Sequence, residues 1–166
     1  GAIGRAVARR AGGFGMQVLG WNRTPRDVPG VAQVTLENLL SRSDFVAITV
    51  ALSDDTRNLI DAQRIALMKH DAVVVNTARG GIVDEDALAK ALAGGRLFAA
   101  GIDVFAREPV PGDNPLMSLP NVVLTPHIGS ATASTRRRMA DMAADNALAA
   151  LAGEPMLHCA NADVYE

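Results

Sequence analysis

The stretch LTPHIGS, residues 124–130, places an imidazole where an apolar run stops. Val122-Val123-Leu124 ends at Thr125-Pro126, and His127 follows. An unperturbed histidine titrates near neutrality, so it can give and take a proton there. The residue alone does not decide between a catalytic acid and a turn residue. A second chemical signal opens the chain, where Gly1-Ala2-Ile3-Gly4 fits the last four positions of G-x-G-x-x-G. Gly1 would let the backbone approach a pyrophosphate, and Gly4 would let a helix pack closely on a sheet. The helix N-terminus would offer free N–H groups and a positive dipole end to the phosphates. About 20 residues further on, a carboxylate commonly binds the ribose 2′-hydroxyl of NAD. This chain has Asn22, Arg23, Thr24 and Arg26 instead. No acid stands there to repel a 2′-phosphate, and two guanidinium groups can hold one. That favours NADP, with NAD as the alternative, against the plain reading of two solvated loop charges.

These residues need elements to position them. Ile3, Val7, Ala8 and Ala11 share one helical face, so the chain begins at the N-terminus of a helix. Strands are expected at Met16–Trp21, Phe45–Ala51, Ala72–Val75, Leu97–Asp103 and Val122–Leu124. Helices are expected at Leu36–Leu40 behind a Thr35 cap, in parts of Thr56–Met68, and from an Asp84 cap through Ala93. A long last helix covers about Ala131–Ala152, with Met139, Ala143, Ala147 and Leu151 along one face and Gly153 at its end. Residues 22–30 read as a loop broken by Pro25, Pro29 and Gly30, and Pro109, Pro111 and Pro115 mark another. Strands that alternate with helices and read as apolar runs predict an α/β fold of the Rossmann type. In it a doubly wound parallel sheet is covered on both faces. Ligands of such sheets bind beyond the carboxyl ends of the strands. Asn22-Arg23-Thr24, Leu52-Ser53, Asn76-Thr77-Ala78-Arg79, Asp103 and His127 all fall just past strands, so the topology would gather them at one edge.

Composition narrows the classes. The chain has 166 residues, of which 49% are hydrophobic and only 4% aromatic, so one aliphatic core is expected. A formal net charge of −2 argues against a nucleic-acid partner. No apolar run is long enough to span a bilayer, so no membrane partner is expected. A single cysteine, Cys159, cannot form an internal disulfide, and a cytoplasmic setting is the default. Residues 1–152 are expected to form a dinucleotide-binding domain, N-terminally incomplete, with 153–166 a polar tail.

With NTARGGIVDEDAL, GIDVFAREP and NVVLTPHIGSAT in order, the chain resembles the cofactor-binding domain of the D-isomer-specific 2-hydroxyacid dehydrogenases. That family includes glyoxylate/hydroxypyruvate reductases and phosphoglycerate dehydrogenase, and the likeness runs out to the ALAALAGEP ending. The resemblance implies that Arg79 binds the substrate's carboxylate and keto oxygen, that Glu108 pairs with the imidazole of His127, and that Asp103 helps hold the nicotinamide carboxamide. It further implies that Ala2, Ile3, Ala51, Thr77 with its neighbour Ala78, and Gly129 line the cofactor. NRTPR resembles the loop of the family's NADP-using reductases. A formate dehydrogenase would show Gln in place of Glu108. The implied activity is reduction of a small 2-keto acid to a D-2-hydroxy acid in a homodimer, with no metal. The other reading is a non-catalytic cofactor-binding or corepressor-like module. The chemistry suits the residue types. A guanidinium stabilises charge growing on the keto oxygen, and a neighbouring carboxylate favours the charged form of an imidazole that must donate a proton. His70, His158 and the Arg136-Arg137-Arg138 run lack such context.

The resemblance also implies a first strand, a first glycine and a substrate domain that this sequence does not contain. In the strand order 3-2-1-4-5-6 the first strand lies mid-sheet. The expectation is therefore a part of a longer protein, or a truncated product completed by another chain, that folds poorly by itself.

Overall fold

Among the described residues, four of the five α-helices begin at a side chain able to satisfy the first free amides. The Thr35 hydroxyl accepts from the Asn38 N–H, Asp61 from Arg64, Asp84 from Ala87 and Thr132 from Thr135. These caps start α2 (Leu36–Arg42), α3 (Ala62–Leu67), α4 (Glu85–Ala93) and α5 (Ala133–Ala152). Gly153, at φ 73°, ends α5 in the left-handed region open to glycine. In the computed structural model, which describes residues 1–165, α1 (Ala2–Gly13) comes first. The strands are β1 (Val18–Gly20), β2 (Val31–Gln33), β3 (Phe45–Ile48), β4 (Val73–Asn76), β5 (Ala99–Ile102) and β6 (Val122–Leu124). β1, β3 and β5 are shorter than the apolar runs that announced them, while β4 and β6 keep the expected length. β2 was not expected: its three residues follow Pro29-Gly30 and carry no periodicity long enough to read.

All strand pairs are parallel. They form two sheets, β1-β2 and β3-β4-β5-β6. Among the described residues β1 and β3 each have a strand neighbour on one side only, the arrangement expected of this strand order without its first member.

Side chains alternate across the larger sheet. Val46, Ile48, Val74, Asn76, Ala100 and Ile102 are buried. Leu36 and Leu40 of α2, Ile65 of α3, and Leu88 and Leu92 of α4 share one core cluster with the apolar members of that set. On the opposite face Phe45 is 59% exposed and Val123 is 68% exposed, while Val73, Val75 and Ala99 are half-buried. α1 buries no side chain, and α5 likewise has none buried. The chain divides into two compact units, Gly1–His127 and the residues from Ile128 onward. The second unit contains α5 and a short 3₁₀ turn at Ala162–Tyr165.

Candidate functional site

Within the first unit, a cleft of about 460 Å³ lies beyond β3 and β4. It is lined by Ile3, Thr49, Val50, Ala51, Leu52, Thr77, Ala78 and Arg79. Ile3 brings the first turn of α1 to this cleft. The approach is close: a Cβ on Gly4 would stand 2.9 Å from the Thr49 hydroxyl. Gly1 caps α1 without a side-chain hydrogen bond, the first turn holds no acid, and nothing lies within 4 Å of where a Gly1 Cβ would be. The helix thus presents uncapped amides and an open approach, which fits a pyrophosphate group.

The Arg79 loop is held from inside. Asn76, 2% exposed at the end of β4, accepts from the Ala78 N–H at 3.1 Å through Oδ1 and donates to the Arg79 carbonyl at 3.0 Å through Nδ2. The Asn76 carbonyl accepts from the Asp103 N–H at 3.0 Å, tying this loop to the end of β5. Gly80 admits no side chain, since its Cβ would fall 1.8 Å from the Phe105 carbonyl oxygen. Asp103 is 5% exposed, and the Thr125 hydroxyl donates to its Oδ1 at 2.6 Å.

His127 is reached through a tight turn. Its N–H donates to the Thr125 carbonyl at 3.0 Å, and its φ is 54°, a conformation uncommon outside glycine. Its Nδ1–H donates to Glu108 Oε2 at 2.8 Å. The other Glu108 oxygen accepts from the Phe105 N–H at 3.0 Å. The hydrogen bond from His127 is the main reason the Glu108 carboxyl is held below its ordinary range. The Phe105 N–H adds to this, partial burial opposes it, and the charges of His127 and Arg79 lower it further. The three residues expected to act together therefore include one direct pair, and a guanidinium whose charge is felt at that pair.

The remaining expected residues are distributed less tightly. Ala2 is exposed at the start of α1. Arg23 donates to Asp55 at 2.8 Å, linking the loop after β1 to the 3₁₀ turn Asp54–Thr56 beyond β3. Asn22 is half-buried, Thr24 and Arg26 are exposed, and none of the four lines the cleft. Gly129 lies in the second unit. Sequence reasoning did not single out Asn76, Thr125 or Glu85 as positioning groups. Asn76 stood at a strand end, where a small polar side chain folding back on its own loop is a recognisable signal.

Fold and site together define a dinucleotide-binding domain with a histidine–carboxylate pair at the edge of its parallel sheet. Residues 1–129 match the family described as D-isomer specific 2-hydroxyacid dehydrogenase, NAD binding domain, and the chain belongs to that family. It is 47% identical to the glyoxylate reductase of Korarchaeum cryptofilum over 170 residues, covering 100% of this chain and 51% of that protein. It is 45% identical to glyoxylate/hydroxypyruvate reductase B of Yersinia enterocolitica, covering 100% of this chain and 52% of that protein. The crystal structure of an NADPH-dependent glyoxylate/hydroxypyruvate reductase from Sinorhizobium meliloti, in complex with NADP and malonate, superposes with a TM-score of 0.87. The sequences are 37% identical there, over 95% of this chain and 49% of that one. The chain spans about half the length of the curated relatives it matches. No helix among the described residues is long and apolar enough to cross a membrane.

Proposed function

We propose that the protein carrying this chain reduces a small 2-keto acid, of the glyoxylate or hydroxypyruvate type, to the D-2-hydroxy acid. The observation that carries this reading is the 2.8 Å bond between His127 and Glu108 beside the Arg79 loop. A bound NADPH, with NADH as the lesser alternative, would supply the hydride received by the keto carbon. Arg79 holds the substrate carboxylate and stabilises charge on the keto oxygen. His127, its Nδ1 engaged by Glu108, donates from Nε2 to that oxygen. Glu108 orients the ring, and in the oxidative direction neutral His127 takes the proton back. Asp103, set by Thr125, receives the nicotinamide carboxamide. Gly1, Ala2, Ile3, Gly4, Ala51, Thr77, Ala78 and Gly129 line the cofactor.

The choice of NADPH rests on Asn22, Arg23, Thr24 and Arg26, and is supported by the NADP bound to the Sinorhizobium relative. In this reading residues 1–152 belong to the dinucleotide-binding domain and 153–166 to a tail. The protein is a homodimer, which exposed Leu148 and Leu151 on α5 support, and it works in the reducing cytoplasm that suits a lone cysteine.

The test is NADPH oxidation by the whole protein with glyoxylate or hydroxypyruvate. Turnover is expected, and His127→Ala should lower kcat by about 10²–10⁴-fold with cofactor affinity retained. Unchanged turnover in that variant overturns the assignment, and cofactor binding without turnover in the unaltered protein favours the binding-module reading.

A further inference from the structure

The His127–Glu108 pair depends on how the loop between β5 and β6 is held. Glu108 sits on that loop with its side chain 37% exposed, so burial does little to fix it. Its segment is gripped from outside by a residue the proposed mechanism does not use. Glu85, the first residue of α4, is half-buried and directs both carboxylate oxygens at this loop. Oε1 accepts from the Ala106 N–H at 2.6 Å, and Oε2 accepts from Asn114 Nδ2 at 2.7 Å. Asn114 is itself fixed, because its Oδ1 accepts from the Leu116 N–H at 3.0 Å and starts the 3₁₀ turn Pro115–Ser118. One carboxylate therefore clamps both ends of the stretch that carries Glu108. The contacts lie two residues before it and six after. On the side of the β4 loop, the backbone of Gly80 lies against Phe105 and Ala106, so the near end cannot move that way.

We propose that Glu85, acting with Asn114, is a positioning residue that sets Glu108 against His127. This rests on the reductase reading above. Charge-assisted hydrogen bonds to a backbone amide and to a capped asparagine are directional and strong for their kind. They are aimed at the loop whose displacement would break the 2.8 Å pair. A plain helix-capping role does not account for the geometry, since Asp84 already caps α4 through the Ala87 N–H.

The variant Glu85→Gln keeps an acceptor for the Ala106 N–H but sets its amide nitrogen against Asn114 Nδ2, donor facing donor. Adding Asn114→Asp restores the complement: one oxygen of the introduced carboxylate accepts from the introduced amide, and the other still caps Leu116. In the whole protein, E85Q should lower kcat on the order of 10–100-fold while the cofactor KM changes little. E85Q/N114D should recover most of the loss, with closely similar Tm values in all three proteins. The imidazole Nδ1 proton resonance of His127, read by NMR, should broaden or vanish in E85Q and return in the double variant. That signal needs no turnover. If the unaltered protein reduces no keto acid, the reductase reading fails while the resonance still judges Glu85. Unchanged kcat and resonance in E85Q overturn the proposal, as does a loss that the partner exchange leaves in place.

Discussion

At the residue scale, the two oxygens of Glu108 have different duties. One takes the Phe105 amide and fixes the side chain; the other takes His127 and orients the ring. Both bonds favour the charged carboxyl, and its titration is lowered from an ordinary value of 4.5 chiefly by the bond from His127. A depressed folded value stabilises the fold fully above the ordinary value, and that contribution disappears as the pH falls through the lower one. The pair is partly open to solvent, so the effect is modest. Scanning calorimetry between about pH 5 and pH 3 should show the Tm of the unaltered protein falling more steeply than that of Glu108→Gln, which has no carboxyl to titrate there. Parallel curves would mean that Glu108 is not held charged by the fold.

At the element scale, the site depends on two backbone segments coming closer than any side chain permits. Gly80 follows Arg79, and its missing Cβ is what lets the loop after β4 rest on Phe105. Gly80→Ala should therefore destabilise by roughly 1–3 kcal/mol or more, the range for overpacking, because the obstacle is backbone and cannot rotate away. Gly112→Ala meets nothing within 4 Å and serves as the control. Urea titration of both compares them, and equal midpoints would show that the loops part without cost. This element also shows what a single sequence can reveal. The order of strands and helices apart from β2, the Thr35 and Asp84 caps and the residues past each strand end were legible, because hydrophobic runs and capping residues are local signals. Glu85 was not, because its partners Ala106 and Asn114 are 21 and 29 residues away and nothing at position 85 announces them.

At the scale of the whole molecule, packing is uneven along the chain, and stability should follow it. Every member of the buried core lies between Leu36 and Leu116, and of the residues before Leu36 only Trp21 packs against it. The segment made of α1, β1 and β2 has no buried side chain. Its sheet is not hydrogen-bonded to the other. The Arg23–Asp55 bridge that reaches across is 73% exposed on one side and 69% on the other, and such pairs contribute about 0–1 kcal/mol. Local opening free energies track buried apolar contact. In this chain, backbone amides of residues 1–33 should therefore exchange with solvent as one weakly protected unit. Those of β3, β4 and β5 should exchange only with global unfolding. Added NADPH should raise protection at the start of α1 more than in the sheet core, because the first turn of α1 is where its phosphates would gain amide partners. Hydrogen exchange read by mass spectrometry on the 166-residue chain, with and without NADPH, measures both effects. Uniform protection from α1 through β5 would show that the first 33 residues share the core's cooperativity, and the division of stability argued from burial would be wrong.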